Sequence, residues 1–238
     1  MLSILYNDGP VLVLNKPPGL LTQAPVGIDS LEIWVRDYYR DREQIEGNFY
    51  VGIIHRLDRP VTGAIAFGRN LRATQRLAKQ FQERTVGKTY WAVVEGNVDD
   101  DEGTWRDHLH KRHGMAQAIV VPEDDPRGKH AVLHYRVRGR VSDSTGDKTW
   151  LEITLETGRT HQIRIQAASR GHAVLGDSQY GATTTFGFQH EDERDRQIAL
   201  HARNLSFRHP MREESVEVTA PLNEAWQAAE LHDLAIHI

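Results

Sequence analysis

His55-Arg56-Leu57-Asp58-Arg59-Pro60-Val61-Thr62-Gly63 stands between two apolar runs, residues 49–54 and 64–67, each of which reads as a buried strand. Pro60 disfavours helical geometry at Arg59, so Asp58 falls on a loop beyond a strand end. A carboxylate on a loop, flanked by two arginines and followed by a glycine, suits a nucleophile that works on a polyanionic substrate. The same letters describe a solvated Arg–Asp–Arg surface pattern, and residue types alone favour that blander reading.

The flanking sequence places this loop in a strand-rich chain. Val11-Leu-Val-Leu14 is a short apolar strand stopped by Asn15-Lys16-Pro17-Pro18-Gly19. Residues 30–40 fit a helix with Leu31, Val35 and Tyr38 inward. Asn70 suits an N-cap for a helix to about Glu83, with Leu71, Leu77, Ala78 and Phe81 inward. On that helix Arg72, Arg76 and Lys79 share one face. Residues 88–95, 131–139 and 150–156 are further strands, and 162–170 a further helix. Strands without a regular βαβ rhythm predict an α+β or mixed fold around one large sheet. The acidic stretches at 99–102 and 124–128 read as solvated turns within one domain, 1–238.

Composition narrows the classes. The hydrophobic share of 39% and charged share of 26% are those of a soluble globular protein. No apolar run is long enough for a membrane span, and residues 1–7 lack the pattern of a secretory signal. Zero cysteines exclude disulfides, thiolate zinc sites and a thiol nucleophile, and the expected address is cytoplasmic. The net charge of −4 conceals an asymmetry: residues 51–90 carry eight basic side chains against Asp58 and Glu83. Phosphate binding depends on the local field, so a polyanionic partner stays open.

The loop segment resembles the HRLD motif of the RluA-type RNA pseudouridine synthases, in which the aspartate is catalytic. Further segments resemble the same family in the same order. Asn15-Lys16-Pro17-Pro18-Gly19 is similar to its NKPxG element, and Gly87-Lys88-Thr89-Tyr90 to the strand carrying its active-site tyrosine. Thr157-Gly158-Arg159-Thr160-His161-Gln162-Ile163-Arg164 resembles TGRxHQIR, whose last arginine partners the aspartate. Gly171-His172 with Gly176-Asp177-Ser178-Gln179-Tyr180-Gly181 resembles GHP…GDxxYG, and Leu200-His201-Ala202 with Phe207-Arg208-His209-Pro210 resembles LHA…FxHP. The chain departs from the pattern at Val61-Thr62, where Thr-Ser is usual, at Gln166 for histidine and at Ala173 for proline. Those departures are expected at supporting or RNA-contacting positions. With the sequence starting at Met1, an S4-type RNA-binding domain is not expected ahead of the catalytic part.

The resemblance implies a single pseudouridine-synthase-like α+β domain, with an elongated mixed sheet flanked by helices and a central RNA-binding cleft. It implies Asp58, Tyr90 and Arg164 as the catalytic set, and the chemistry needs such groups. Uridine isomerisation breaks the N1–C1′ bond, turns the base and joins C5 to C1′. An ionised carboxylate attacks or directs the break-up, and a cation beside it keeps it charged and oriented. A phosphate contact is the rival role for Arg164. Tyr90 offers a flat face for the detached base and a phenol for proton transfer; a core tyrosine is the plainer alternative. Because the uridine must leave its stack, Arg56 is expected near the vacated space. Arg59, Arg72, Arg76, Lys79, Arg159 and His161 are expected against RNA, although a basic helix face is equally often merely solvated.

Thirteen histidines invite a metal reading, above all His108, His110 and His113, but no HExxH or paired carboxylate completes a site. No metal, nucleotide or other cofactor is expected. The expected partner is an rRNA or tRNA stem-loop, bound by a monomer. Two rivals remain: a catalytically inactive RNA-binding module of the same fold, and an Asp-nucleophile hydrolase of small molecules, which would need a metal motif or a second acid.

Overall fold

The computed structural model describes residues 2–44, 46–47, 49–212 and 214–228. The single-domain expectation over 1–238 therefore includes residues outside the described ones. The fold is α+β, dominated by strands. The chain forms two compact units: Met1–Lys88 with Asp192–Arg196 and Ala202–Leu222, and Thr89–Glu191 with Gln197–His201 and Asn223–Ile238.

The first unit is built on the apolar strand seen in the sequence. Strand β1 (Ile4–Asp8) pairs antiparallel with β2 (Val11–Lys16). Helix α1 (Leu31–Glu43) follows, then β3 (Gly52–Ile53) and β4 (Thr62–Gly68), which pairs with both β2 and β3. Every residue of β4 is buried, as a strand covered on both faces must be. Helix α2 (Leu71–Gln82) lays Leu77 into a core with Val11, Val13, Ala64, Ala66, Leu205 and Phe207. Each such buried Leu or Phe contributes on the order of 1.5–3 kcal/mol. The unit's later strands are β10 (Leu200–Arg208), whose residues from Ala202 onward belong here, and β11 (Ser215–Thr219), paired antiparallel with it.

The second unit is an antiparallel sheet with helix α3 (Gln162–Ala168). Its strands are β5 (Gly87–Glu95, from Thr89 onward), β6 (Glu102–Lys111), β7 (Ala118–Val121), β8 (Lys129–Asp143) and β9 (Gly146–Leu155), in spatial order β5-β9-β8-β6-β7. Tyr90 lies opposite Ile153 on β9. The short helix α4 (Glu224–Ala228) seats Trp226 edge-on to Phe186.

Three sequence expectations need correction. The helix over 30–40 runs instead to Glu43, and Tyr39 rather than Tyr38 is the buried ring. Both tyrosines lie near the apolar face, and partners decide between them. Tyr39 donates its hydroxyl to Asn7 and stacks on Phe49, with Arg69 above it, whereas Tyr38 accepts from Arg42 at the surface. Leu71 is 59% exposed, because it opens α2 well off the stripe made by Ala73 and Leu77. The run at 49–54 yields only the two-residue β3. Asn70 caps α2 as expected, accepting from the Ala73 amide at 2.8 Å.

Among the described residues no helix is long and apolar enough to cross a membrane.

Candidate active site

In the first unit, Asp58 occupies a tight turn between β3 and β4, closed by a hydrogen bond from the Val61 amide to the Asp58 carbonyl at 3.1 Å. Neighbours on both sides hold this turn. Thr22 donates its hydroxyl to the Leu57 carbonyl at 3.0 Å and accepts from the Leu57 amide at 3.2 Å. Arg59 donates Nε to the Gly19 carbonyl at 2.6 Å. Gly63 follows with φ +114°, and a Cβ there would lie 2.3 Å from the Ala202 carbonyl oxygen, so only glycine fits.

Lys16, the lysine of the Asn-Lys-Pro segment, is 1% exposed and lies under the same turn. Its ammonium donates to the Pro17 carbonyl at 2.8 Å and the Arg59 carbonyl at 3.0 Å. Burial pulls its pKa down to about 7, against the opposing pull of the Asp58 carboxylate. Nothing beyond the motif itself announced this role, since a lysine at the end of an apolar strand looks like a surface charge.

His55 starts the motif and is an acceptor rather than a charge. Its Nε2 accepts from the Ala66 amide at 3.0 Å, which places the ring proton on Nδ1, and the ring stacks on Phe81 at 4.6 Å. Burial, helped by Lys88, pulls it from 6.5 down to about 3. Below about pH 6.5 the unfolded chain therefore takes up a proton that the folded chain refuses until about pH 3. Stability should fall with acid across that window, by at most about 1.4 kcal/mol per pH unit from this group. His55→Gln retains an acceptor and cannot titrate. Its melting temperature should decline less steeply than that of the wild type between pH 6.5 and 4. Parallel declines would show that His55 is not the acid-sensitive group.

The basic residues of this unit divide. Arg56 is exposed at the turn. Arg59 lies 3.9 Å from Asp195. On α2, Arg72 is exposed, Arg76 donates to the Pro210 carbonyl at 2.6 Å, and Lys79 pairs with Glu83 at 3.6 Å. Arg76 thus has a structural use that its sequence position did not reveal.

The second unit holds Tyr90 and Arg164. Tyr90 is half-buried on β5. Arg164 projects from α3, entered through His161 at φ +52°. Its guanidinium donates Nε and Nη2 to the two oxygens of Asp177 at 2.6 and 2.7 Å, and Nη2 also to Gln179 Oε1 at 2.8 Å. The side chains of this ion pair are only 4% and 1% exposed. Tyr180 places its ring 5.0 Å from the guanidinium, and its hydroxyl meets His161 Nδ1 at 2.9 Å. Asp177 and Gln179 are the residues that sequence reading missed; they stand in a quoted motif, but nothing in a span of thirteen or fifteen residues announces a shared guanidinium.

The rest of the Thr157–Arg164 motif is spent locally. Gln162 Oε1 accepts from the Thr157 hydroxyl at 2.8 Å and the Arg159 amide at 2.9 Å. Arg159 Nε donates to the His130 carbonyl at 2.9 Å. Gln166, expected at a supporting or RNA-contacting position, is fully buried and donates to the Trp105 carbonyl and to Asp107, tying α3 to β6. His108 and His110 lie on β6, with His108 opposite His130 on β8. Among the described residues no three His, Asp or Glu side chains gather as a metal-binding group.

Known proteins share this architecture and sequence. Residues 10–169 match the family described as RNA pseudouridylate synthase. An RNA pseudouridine synthase of Bacillus subtilis, YlyB, is 36% identical over 225 residues, covering 94% of this chain and 70% of that protein. The ribosomal large subunit pseudouridine synthase D of Xanthomonas campestris is 34% identical over 239 residues, covering 95% and 67%. A Synechocystis RNA pseudouridine synthase is 32% identical, and this chain spans 65% of its length. The human RNA pseudouridylate synthase domain containing 4 superposes with a TM-score of 0.76 at 21% identity, over 99% of this chain and 94% of that one. With a family match over most of its length and relatives above 30% identity, the chain belongs to the RluA-type RNA pseudouridine synthases.

Proposed function

We propose that this protein isomerises specific uridines in structured RNA to pseudouridine in the cytoplasm, as one catalytic domain, with Asp58 as the catalytic carboxylate. The observation that carries the reading is the fixed presentation of Asp58. Its turn is pinned by Lys16, Thr22 and Arg59 and can be followed only by a glycine at position 63. A carboxylate carried on a backbone turn held this firmly needs little reorganisation of the main chain when it acts on the nucleoside. The step is an isomerisation: C5 loses its hydrogen, N1 gains one, and the glycosidic bond moves from N1 to C5.

Tyr90 supplies the face and the phenol for the turning base, and Arg164 the cation of the catalytic set. Arg56, exposed beside Asp58, fills the space left by the flipped nucleotide. Arg59, Arg72, Arg76, Lys79, Arg159 and His161 lie along the RNA path. All three α2 cations are exposed, but Arg76 and Lys79 already have protein partners, which makes Arg72 the one best placed to meet phosphate. Relatives named for the ribosomal large subunit make its RNA the first substrate to test, ahead of tRNA.

The test is pseudouridine mapping across the host's RNA with and without the gene. Specific sites should disappear on deletion and return on complementation; an unchanged map would overturn the proposal. Tyr90→Phe keeps the stacking face and removes the phenol. It should bind the RNA normally and turn over about 10²- to 10⁴-fold more slowly. A wild-type rate would reduce Tyr90 to a platform.

A further inference from the structure

The hairpin joining β6 to β7 has a turn of its own, closed by the Arg112 amide on the Gln117 carbonyl at 3.0 Å. Lys111, Arg112 and His113 are all exposed at this tip, beside the exposed Met115. No acidic residue stands between 108 and 122 to offset them. The tip is therefore a compact cationic element suited to a phosphate backbone.

One side chain connects that tip to Arg164. Gln179 accepts from Arg164 Nη2 at 2.8 Å with its Oε1, and donates its Nε2 to the Ala116 carbonyl at 2.7 Å. Both ends of one short amide are thus committed, one to the guanidinium and one to the hairpin backbone. A second link runs beside it. Tyr180, whose ring lies by the guanidinium, accepts from the Ala118 amide at 2.8 Å through its hydroxyl. Gln179 is exposed, so burial does not explain why it is held at both ends.

We propose that Gln179 is a positioning residue that couples RNA grip by the Lys111–His113 tip to the alignment of Arg164. Phosphate binding orders the tip, the seated Ala116 carbonyl fixes the Gln179 amide, and the amide fixes the guanidinium. The inference rests on the proposed role of Arg164 in the isomerisation. It adds a prediction which that role alone does not make: cations at the hairpin tip influence turnover as well as affinity, and do so through Gln179.

The experiment measures kcat and KM on large-subunit ribosomal RNA taken from a host strain lacking the gene. The full-length proteins are wild type, Gln179→Leu, Gln179→Glu, the tip variant Lys111→Ala/His113→Ala, and the tip variant combined with Gln179→Leu. Melting temperatures are recorded throughout; an exposed position should leave them close to wild type. Gln179→Leu should lower kcat about tenfold with KM nearly unchanged. The tip variant should raise KM and lower kcat. In the Gln179→Leu background it should raise KM only, because the connection is already cut.

Gln179→Glu separates the two ends: its carboxylate keeps the Arg164 contact but faces the Ala116 carbonyl without a proton to donate. It should resemble Gln179→Leu. A wild-type kcat for Gln179→Glu would overturn the coupling, as would kcat losses that multiply in the combined variant. A wild type that forms no pseudouridine on this RNA or on tRNA from the same strain would overturn the proposed function itself, a result distinct from either of these.

Discussion

An Asp58→Asn variant is expected to form no measurable pseudouridine while binding its RNA almost as well as wild type. Asparagine keeps the size and the planar group, so the turn closed by the Val61 amide and pinned by Lys16 through Arg59 should persist. The substitution removes the charge and the nucleophilicity that bond exchange at C1′ requires. The loss of turnover should reach at least ~10³-fold. The readouts are release of label from C5 and gel-shift affinity on the same RNA. Residual activity above a trace would remove Asp58 from the centre of the mechanism. Lost affinity together with lost turnover would point instead to a damaged turn.

Asp177→Ala should have the largest effect on stability. It takes from the almost wholly buried Arg164 guanidinium the carboxylate that now meets two of its nitrogens. Breaking such a pair from one side costs roughly 3–5 kcal/mol, because the surviving charge keeps its desolvation penalty and loses its bidentate carboxylate. In a protein of this size that corresponds to a fall in melting temperature of about 6–20 °C. The double replacement Arg164→Met/Asp177→Leu removes both charges and should be the more stable of the two variants, though inactive. If Asp177→Ala melts within about 2 °C of wild type, the pair is not the stabilising contact its burial implies.

The sequence was informative where side chains advertise their own surroundings. The unbroken apolar run of β2 and the alternation along β8 and β9 follow directly from which faces are covered. Asn70 announced α2, because an N-cap is a local device. The Asp58 turn was legible for the same reason, with Pro60 and Gly63 restricting the backbone on either side. β6 was harder to see. Its outward positions carry Thr104, Arg106, His108 and His110, and an acidic run precedes it, so it resembled loop until β7 and β8 supplied partners. The supports of the active residues were the least visible. Lys16 reaching the Arg59 carbonyl and Asp177 clamping Arg164 depend on distant segments meeting, and no local pattern encodes that.

The path of the chain has a consequence for how this protein is made. The unit that carries Asp58 begins at the N-terminus, but its core is completed by Leu205, Phe207, Val216 and Val218, which leave the ribosome after the whole of residues 89–191. Until they arrive, β4 lacks its β10 neighbour, and a strand that is wholly buried in the finished fold is left with an open edge. Such an edge invites pairing with other nascent chains. The intervening unit, in contrast, can form two of its pairings, β6–β7 and β8–β9, as consecutive hairpins while it emerges. Translation speed through residues 89–191, and chaperone cover over the first eighty, should therefore govern the yield of active enzyme more than the final stability does.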